Sequence, residues 1–352
     1  MNTPTNISEI LQTYTHIVEQ SLRDTLSQQN NFDMYRYMEY FFGFRDEQLQ
    51  PTDIYGGKRY RSSLCLLIAS FYESVPAAVP TATSIEIYHN FTLIHDDIED
   101  NDTMRRGRPT VWSLWGINHG INTGDAQLLL AQETLVQALS THGESYVPVI
   151  AFLNDCYKQV IEGQFLDFNL TELPLGSPEV TINAYHHMIS KKTSVLVGAA
   201  TQGAAMVAQQ DHATQQLWWE YGYHLGMAYQ LSDDTFSIWG DLSVTGKENY
   251  GDIIEQKKTL PIIYALDQLT DTARDQLLDI YNQEHTVTNE QARTVLDVLH
   301  TTDVYEYATN QIQEHNQKSL DALGQIDIAP EHKETLRSLN QALLPNVKDL
   351  VQ

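Results

Sequence analysis

The chain has 352 residues, of which 42% are hydrophobic, and this length allows one large domain or two ordinary ones. Its 46 acidic and 21 basic residues give a formal charge of −25, which argues against general binding to nucleic acids or anionic membranes. No apolar run approaches the ~20 residues that a membrane span needs. The first residues are polar and uncharged, unlike a secretory signal peptide. We therefore expect a cytoplasmic protein that does not insert stably into membranes.

Hydrophobic residues recur at helical spacing nearly throughout, and no stretch alternates as a half-buried strand would. We predict an all-α fold and a single domain over 1–352, because no low-complexity segment or linker divides the chain. Helices are predicted within 6–48, at 62–73, 84–100, 111–117, 123–140, 146–171, 185–208, 214–238 and 261–269, and again within 271–352. Loops are predicted at 51–57, 74–83, 101–110 and 240–251. The two cysteines, Cys65 and Cys156, have apolar neighbours and are expected in the core.

A first group of basic residues follows two glycines immediately before a predicted apolar helix: Gly56-Gly57-Lys58-Arg59-Tyr60-Arg61. Glycines let backbone N–H groups approach an anion, and a helix N-terminus adds its dipole. Lys58 and Arg61 add full positive charges. Taken alone, the segment also fits a surface turn with scattered basic residues.

Three carboxylates stand where another predicted helix ends: Asp96, Asp97 and Asp100. Residues four apart share a helix face, so Asp96 and Asp100 are expected to point the same way. Like charges that close need a compensating cation, and oxygen ligands that leave room for substrate oxygens suit Mg²⁺. Taken alone, the pattern also fits a solvated acidic helix end. The arginines that follow, Arg105 and Arg106, favour a diphosphate site, because guanidinium groups bind phosphate well.

Further charged residues lie in the second half of the chain. Lys191 and Lys192 interrupt an otherwise apolar, small-residue helix. A lysine in that setting either reaches for solvent or meets an anion. A second acidic pair, Asp233 and Asp234, stands near the end of the next predicted helix, and Lys257 follows a predicted loop.

In this order the motifs resemble those of the trans-isoprenyl diphosphate synthases (polyprenyl synthetases), and of geranylgeranyl diphosphate synthases in particular. The resemblance covers residues 50–265. Residues 56–61 resemble the family's GGKRxR segment, and residues 95–110 resemble its first aspartate-rich motif with the RRGxPT tail. The remaining matches are to its KT pair, its second aspartate-rich motif and its downstream lysines: Lys192 with Thr193, Gln230 with Asp233 and Asp234, and Lys247 with Lys257.

The resemblance implies an isoprenoid-synthase helical bundle around a deep central active-site cavity, with the two aspartate motifs facing each other across its mouth. It implies a prenyltransferase that condenses isopentenyl diphosphate with an allylic diphosphate, head to tail and trans, into a linear prenyl diphosphate. The implied cofactor is Mg²⁺, about three ions with the diphosphate bound, with Mn²⁺ as a substitute. Its implied ligands are Asp96, Asp100 and Asp233. The family is usually homodimeric, so a homodimer is expected.

The resemblance also assigns the other site residues. Four are implied to hold isopentenyl diphosphate: Lys58, Arg61, His89 and Arg106. Three would add positive charge to the leaving diphosphate of the allylic substrate: Arg105, Lys192 and Lys257. Two more belong to the implied substrate-binding set: Thr193 and Lys247. Three would support the chemistry: Asp97, Asp234 and, by orienting charge near the carbocation, Gln230.

The sequence departs from the family pattern in two places. The second motif is usually DDxxD, but its fifth position here is Ser237. Asp241 could compensate for the missing carboxylate or could only cap a helix. Tyr60 and Ser62 stand where Leu and Pro are commoner, and both changes are expected to be tolerated.

Product length is predicted from the helix that carries the first motif. In the family, an aromatic residue five positions before the first aspartate, as Phe91 is here, accompanies a C20 product. A further aromatic at the next position favours C15, and Thr92 is small. We therefore expect geranylgeranyl diphosphate, with Tyr88 as a second barrier one turn deeper. Alternatively, Phe91 only packs against a neighbouring helix.

Three other functions are also compatible with the sequence. Farnesyl diphosphate synthase is one. A terpene synthase on the same fold is the second, and the change at Ser237 favours it. Lys58, Arg61 and Arg106 argue against it, because such an enzyme needs no second diphosphate site. A catalytically weak regulatory subunit is the third, and the nearly complete charged set disfavours it.

Overall fold

The computed structural model describes residues 7–54, 56–239 and 250–344, and their regular structure is almost entirely helical. The helices are α1 (Ile7–Ser27), α2 (Asp33–Phe41), α3 (Tyr60–Ser70), α4 (Val75–Glu99), α5 (Val111–Trp115), α6 (Ile117–Gln137), α7 (Leu139–His142), α8 (Val147–Glu172), α9 (Ile182–Ile189), α10 (Val195–Val207), α11 (His212–Trp239), α12 (Gly251–Ile254), α13 (Leu260–Gln268), α14 (Asp271–Tyr281), α15 (Asn289–Leu299), α16 (Val304–Gln325) and α17 (Pro330–Leu343). A 3₁₀ turn at Gly143–Tyr146 and a π-helical turn at Ser190–Ser194 complete them. The predicted all-α fold class is confirmed.

A small hairpin lies within the predicted loop 101–110. Its strands are β1 (Met104–Arg105) and β2 (Arg108–Pro109), which pair antiparallel with Arg105 opposite Arg108. The two turn residues, Arg106 and Gly107, both have positive φ, at 54° and 75°. This is the backbone of a type I′ turn, whose twist matches that of the strands it joins. The sequence analysis did not predict this hairpin.

Contacts between Cα atoms divide the chain into two compact units, residues 1–157 with 199–216 and residues 158–198 with 217–352. In the first unit, α4 packs against α3 and α6, and α1 packs against α3 and α4. In the second unit, α13 packs against α9 and α16 over an apolar core. Two helices of this unit have side-chain caps at their N-termini. The Thr181 side chain accepts a hydrogen bond from the first turn of α9, and Thr288 and Gln291 form a capping box at the start of α15. The single domain stays a prediction.

The prediction of a loop over residues 74–83 is wrong. Helix α4 begins at Val75 and contains both prolines of that stretch. Pro76 lies in the first turn, where a backbone N–H has no partner within the helix. Pro80 removes one hydrogen bond, but Ala82 and its neighbours are fully buried, and their packing outweighs that loss.

The structure also bears on the cysteines, on two predicted loop residues and on membrane insertion. Cys65 and Cys156 are buried free thiols, as expected. Lys247 and Asp241 lie outside the described residues. None of the described helices combines the length and the hydrophobicity that a membrane span requires.

Candidate active site

In the first unit, the aspartates end α4 in three different environments. Asp97 is buried, Asp96 is partly buried, and Asp100 is exposed at the helix C-cap. Arg105 on β1 donates through Nε to Asp97 Oδ1 and through Nη2 to Asp96 Oδ2, at 3.2 Å for the second contact. The downstream arginine that the sequence placed near this motif therefore lies on its carboxylates.

Asp97 differs from its neighbours in its electrostatics. Burial raises the pKa of this carboxyl to about 6 although Arg105 opposes the shift, and the charges of Asp96 and Asp102 raise it further. Its Oδ2 atom is buried and makes no hydrogen bond. Asp97 is thus held inside the fold, which suits the supporting role predicted for it.

The hairpin that carries Arg105 is fixed by contacts of β2 and of α5, the helix that follows it. Trp112 donates from Nε1 to the carbonyl oxygen of Asp97 at 2.8 Å. Arg108 donates to the Tyr40 carbonyl oxygen at 3.0 Å and lies 3.9 Å over the Tyr40 ring. The Tyr40 hydroxyl donates back to the Pro109 carbonyl oxygen at 2.7 Å. These contacts hold β1 and β2 beside the end of α4.

The glycine-rich segment approaches other backbone closely. A Cβ atom at Gly56 would lie 1.9 Å from the carbonyl oxygen of Phe42, so only glycine fits there. Arg106 donates from Nη1 to the Gly56 carbonyl oxygen. The segment and the turn of the hairpin are therefore joined directly.

Arg59, to which the sequence analysis assigned no role, anchors this segment. It has the left-handed φ of 48°, and its side chain is fully buried. Its guanidinium donates to the carbonyl oxygens of Gly56 and Phe42 at 2.9 and 2.6 Å and to Glu86 Oε1 at 3.1 Å. The buried arginine thus ties the segment to α4.

Glu86, also missed from the sequence, completes this anchor. It accepts from Ser62 Oγ at 2.7 Å and from Asn90 Nδ2 at 2.8 Å. Burial raises the pKa of Glu86, but Arg59 and these hydrogen bonds outweigh it, so the net shift is downward and the carboxylate is ionised. One sequence signal could have found it: Glu86 is the only Asp, Glu, Lys or Arg between Glu73 and Asp96. A lone charge in an apolar helix needs a buried partner.

Arg61 and His89 lie together, as the family pattern implied. Arg61 Nη1 is 3.2 Å from His89 Nε2. Arginine can only donate, so Nε2 accepts and Nδ1 carries the proton. Burial lowers the pKa of His89 well below its usual 6.5, and the nearby charges of Arg61 and Arg106 lower it further. At neutral pH His89 therefore offers a hydrogen-bond donor and no positive charge. Lys58, three residues before Arg61 in the chain, is exposed.

In the second unit, the remaining predicted residues surround a cavity of about 230 Å³. Among the residues that line it are Asp167, Lys192, Thr193, Gln230, Asp233, Asp234, Ser237, Asp252, Lys257 and Lys258. The structure therefore brings together every predicted site residue of this unit except Lys247, which is not described.

Two local features determine the position of Lys192: a π-helical turn and a close approach to Gly163. It lies in the π-helical turn between α9 and α10, a distortion that is frequent at functional sites. A Cβ atom at Gly163 of α8 would lie 2.2 Å from the Lys192 backbone nitrogen, so glycine permits this approach. Lys192 Nζ is 2.5 Å from Asp167 Oδ2. The lysine therefore meets a carboxylate at the cavity, and Asp167 is a further residue that the sequence analysis missed.

A hydrogen-bonded chain crosses the cavity wall. Thr193 donates to Gln230 Oε1 at 2.7 Å, and Gln230 Nε2 donates to Asp234 Oδ1 at 2.7 Å. The Tyr185 hydroxyl donates to the other oxygen of Asp234. Burial raises the pKa of Asp234 to about 8, and the charge of Asp252 raises it too. The carboxyl group of Asp234 is therefore buried and held by hydrogen bonds, whereas Asp233 is exposed.

The fifth position of the second motif contacts another carboxylate. Ser237 Oγ is 2.5 Å from Asp252 Oδ2 on α12. Lys257 Nζ lies 4.0 Å from Asp252 Oδ1 and 2.7 Å from Glu255. Asp252 thus connects the departure at Ser237 to one of the predicted lysines.

The donor chemistry fits magnesium. Among the residues that the structure describes, no group of three or more His, Cys, Asp or Glu is placed to hold a metal ion. Mg²⁺ does not need one, because it usually keeps several waters and takes one or two carboxylates with substrate phosphates. Asp100 and Asp233 are exposed oxygen donors, and Asp96 is partly exposed.

Acidic motifs with cations beside them, carried by helices, are typical of helical enzymes that act on diphosphates. The polyprenyl synthetase family model matches residues 48–299. The chain belongs to the polyprenyl synthetase family and is a prenyltransferase.

Known relatives agree with this assignment but differ in the product their names give. The chain is 30% identical to (2E,6E)-farnesyl diphosphate synthase of Mycobacterium tuberculosis, over 83% of this chain and 80% of that one. It is 39% identical to the geranylgeranyl diphosphate synthase of the same species, over 62% of this chain and 61% of that one. A crystal structure of a geranylgeranyl pyrophosphate synthase superposes with a TM-score of 0.84 and 30% identity, over 98% and 99% of the two chains.

Removal of the Glu86 charge tests the anchor of the glycine-rich segment. Glu86→Gln would remove the buried counter-ion of Arg59 and leave it only Glu19, which is 3.7 Å away and 37% exposed, so we expect the free energy of unfolding to fall by about 3 kcal/mol. Urea unfolding measures it. Asp53→Asn is the control, because Asp53 pairs with Arg23 at the surface, and it should change stability by less than ~1 kcal/mol. Equal effects of the two variants would contradict the anchoring role.

Proposed function

We propose that the chain is a Mg²⁺-dependent prenyltransferase that condenses isopentenyl diphosphate with an allylic diphosphate, head to tail and trans, into geranylgeranyl diphosphate. The observation that carries the proposal is a second basic group beside the first acidic motif. Arg105 lies on Asp96 and Asp97, while Arg61 and His89 form a separate pair. Two diphosphates need two such groups, whereas a terpene synthase needs one.

The allylic diphosphate would be bound through metal ions. Asp96, Asp100 and Asp233 would hold about three Mg²⁺ ions, for which Mn²⁺ could substitute. The ions would supply the positive charge that makes diphosphate a good leaving group. Three side chains would add to that charge: Arg105, Lys192 and Lys257.

Isopentenyl diphosphate would be bound by protein cations. Arg61 and Arg106 would donate to its phosphate oxygens, Lys58 would add an exposed charge, and neutral His89 would donate from Nδ1. Arg106 already lies against the glycine-rich segment, whose backbone N–H groups can join the site. Lys247 and Thr193 would complete the substrate contacts, Thr193 also through its bond to Gln230.

The reaction follows from this arrangement. The C–O bond of the allylic substrate breaks, and its electron pair leaves with the diphosphate. The double bond of isopentenyl diphosphate attacks the allylic carbocation and forms the new C–C bond. The resulting cation loses a proton to the released diphosphate. Gln230, oriented by Thr193 and Asp234, would direct its dipole toward the positive charge.

Arg105 would change partners during substrate binding. Its guanidinium offsets the charges of Asp96 and Asp97. Once a metal ion compensates Asp96, Nη2 of Arg105 can turn to a phosphate oxygen while Nε stays on Asp97. This exchange avoids leaving either carboxylate uncompensated, which would be costly.

A C20 product is supported by the column of aromatic rings on α4. Phe91 is buried, with its ring 5.4 Å from that of Tyr88 and 5.0 Å from that of His95. Tyr88 is stacked on Tyr157 at 3.9 Å and donates to its carbonyl oxygen, so it is rigidly held. The Thr92 hydroxyl turns back to its own helix. Phe91 would therefore stop the growing chain first, and Tyr88 would lie behind it.

One incubation tests the function. Isopentenyl diphosphate is supplied with each allylic primer and Mg²⁺, and the products are analysed with and without phosphatase. We expect linear C20 alcohol only after phosphatase treatment. Cyclic hydrocarbons from the primer alone would show a terpene synthase, C15 alone would show a farnesyl diphosphate synthase, and no turnover without a partner would show a regulatory subunit.

Two substitutions test the product length in opposite directions. Phe91→Ala removes the ring and should yield products longer than C20. Thr92→Phe adds a ring at the next position and should shift the product to C15. Phe32→Ala, an exposed aromatic of the same unit, is the control and should leave the distribution unchanged. A C20 product from both variants at α4 would contradict this assignment, and gas chromatography of the dephosphorylated products decides.

We also propose that the chain forms a homodimer. Four large apolar side chains of α6 are exposed at helical spacing: Ile117, Ile121, Leu129 and Val136. An exposed apolar stripe of this kind is typical of a protein interface. We propose that a second copy of the chain covers it.

Light scattering after gel filtration tests the dimer. Leu129→Glu places a charge in the proposed interface and should yield monomers. Phe32→Glu is the matched control, because Phe32 is as exposed as Leu129, at 65%, but lies away from α6 in sequence; it should stay dimeric. A dimeric Leu129→Glu variant, or a monomeric wild type, would rule out this interface.

A further inference from the structure

We infer that three histidines of the second unit, His186, His224 and His315, form a pH-sensitive joint between helices α9, α11 and α16 that opens when the cluster takes up protons. Each histidine comes from a different one of these helices. The described residues that line the cavity of about 230 Å³ do not include any of the three. The cluster therefore lies outside the proposed active site.

The three rings lie close together. His224 Nδ1 is 3.0 Å from His315 Nδ1, and the centroids of these two rings are 5.1 Å apart. The His186 ring meets the His315 ring edge-on, with the centroids 6.4 Å apart. Two tyrosines also pack beside these rings, Tyr185 on α9 and Tyr223 on α11. His315 is thus the central ring, and it joins α16 to both other helices.

The contact between His224 and His315 holds only while one of the two Nδ1 atoms lacks a proton. His224 Nε2 lies 3.5 Å from a carboxylate oxygen of Glu220, and an ionised carboxylate can only accept. This assigns the ring proton of His224 to Nε2, so its Nδ1 accepts from the Nδ1–H group of His315. A proton added at His224 Nδ1 would set two N–H groups against each other at 3.0 Å, and the hydrogen bond would be lost.

The surroundings of His186 also favour a neutral ring. Its Nε2 atom is buried and makes no hydrogen bond. The neutral ring can carry its proton on Nδ1, whereas the protonated ring must carry a second one on Nε2. A buried donor without an acceptor is costly. Protonation of His186 therefore destabilises its place beside His315.

The charges around the cluster only partly oppose this preference. The carboxylates of Glu220 and Glu314 favour protonation, while the ammonium group of Lys318 disfavours it. Burial lowers the pKa of all three histidines. At His315, burial and the two neighbouring imidazoles, together with Lys318, lower the pKa to about 4. The cluster is therefore neutral at pH 7 and resists protonation as long as the joint is closed.

Two of the joined helices lead to the site residues of this unit. Helix α9 continues from His186 into the π-helical turn that holds Lys192. Helix α11 continues from His224 to Gln230 and Asp233. Opening of the joint would loosen both elements that carry these side chains, so acid pH would act on the site from a distance.

The direction of the pH effect follows from linkage. A histidine has a pKa near 6.5 in the unfolded chain, and a lower pKa in the fold means that the unfolded chain binds the proton more tightly. The stability that the neutral cluster contributes is thus present above pH 6.5 and is lost as the pH falls toward 4. For His315 alone, the unfolding equilibrium constant should be about 10–30-fold larger at pH 5 than at pH 7.5.

A double variant that keeps the hydrogen bond but does not titrate tests the inference. In His224→Asn/His315→Asn, an amide oxygen and an amide N–H group take the places of the two Nδ1 atoms. Urea unfolding is measured at pH 7.5 and pH 5.0, and the pH dependence of all other groups, including His89, is common to both proteins. We expect the unfolding equilibrium constant of the wild type to rise about 10–30-fold more than that of the double variant.

A control and a second measurement make the outcome specific. His187→Asn is the matched control, because His187 follows His186 on α9 but is exposed, and it should behave as the wild type. Hydrogen exchange of the wild type, corrected for the intrinsic rate at each pH, serves if the double variant does not fold. Helix α16 should lose protection at pH 5.0, while α14 should keep it.

Three results would overturn the inference. They are an equal pH dependence of the wild type and the double variant, a change in His187→Asn as large as that in the double variant, and unchanged protection of α16 at pH 5.0. These measurements follow folding and not turnover. A failure of the proposed function, seen as the absence of a prenyl product, is therefore distinguishable from a failure of the joint.

Discussion

A buried ion pair between Arg59 and Glu86 supports the arrangement of the first unit's site. Arg59 donates to the carbonyl oxygens of Gly56 and Phe42, and the buried carboxylate of Glu86 compensates its charge inside the fold. The glycine-rich segment is held by these bonds, and Arg106 in turn lies on that segment. The positions of the cations that would bind isopentenyl diphosphate therefore depend on a pair that touches no substrate.

The same principle recurs around the reacting groups. The chain has a net charge of −25, yet cations lie on carboxylates in both units: Arg105 on Asp96 of the first acidic motif, and Lys192 on Asp167 of α8. Each cation offsets the negative charge of its carboxylate. In the proposed function, Mg²⁺ and diphosphate would take over the partners of the pair at Asp96 at once, because the metal would compensate the carboxylate and the phosphate would accept from Arg105. Substrate binding would then exchange ion pairs and leave no charge buried alone.

The sequence predicts the features that motif spacing and helical periodicity determine. It predicts few of the contacts between residues that are distant in the chain. The spacing of Asp96 and Asp100 and the order of the basic segments pointed to the family, and helical periodicity predicted the fold class. The loop expected around Pro80 was wrong because packing of α4 outweighs one lost hydrogen bond. The partners Glu86 and Asp252 were missed because each meets its counterpart 27 or 15 residues away along the chain, and spacing alone does not reveal such contacts.

A crystal structure with Mg²⁺ and an unreactive allylic diphosphate analogue would test the proposed exchange of partners at Arg105. We expect Nη2 of Arg105 to leave Asp96 and donate to a phosphate oxygen, while Nε stays on Asp97. A structure in which diphosphate is bound and Arg105 still donates to both carboxylates would contradict it.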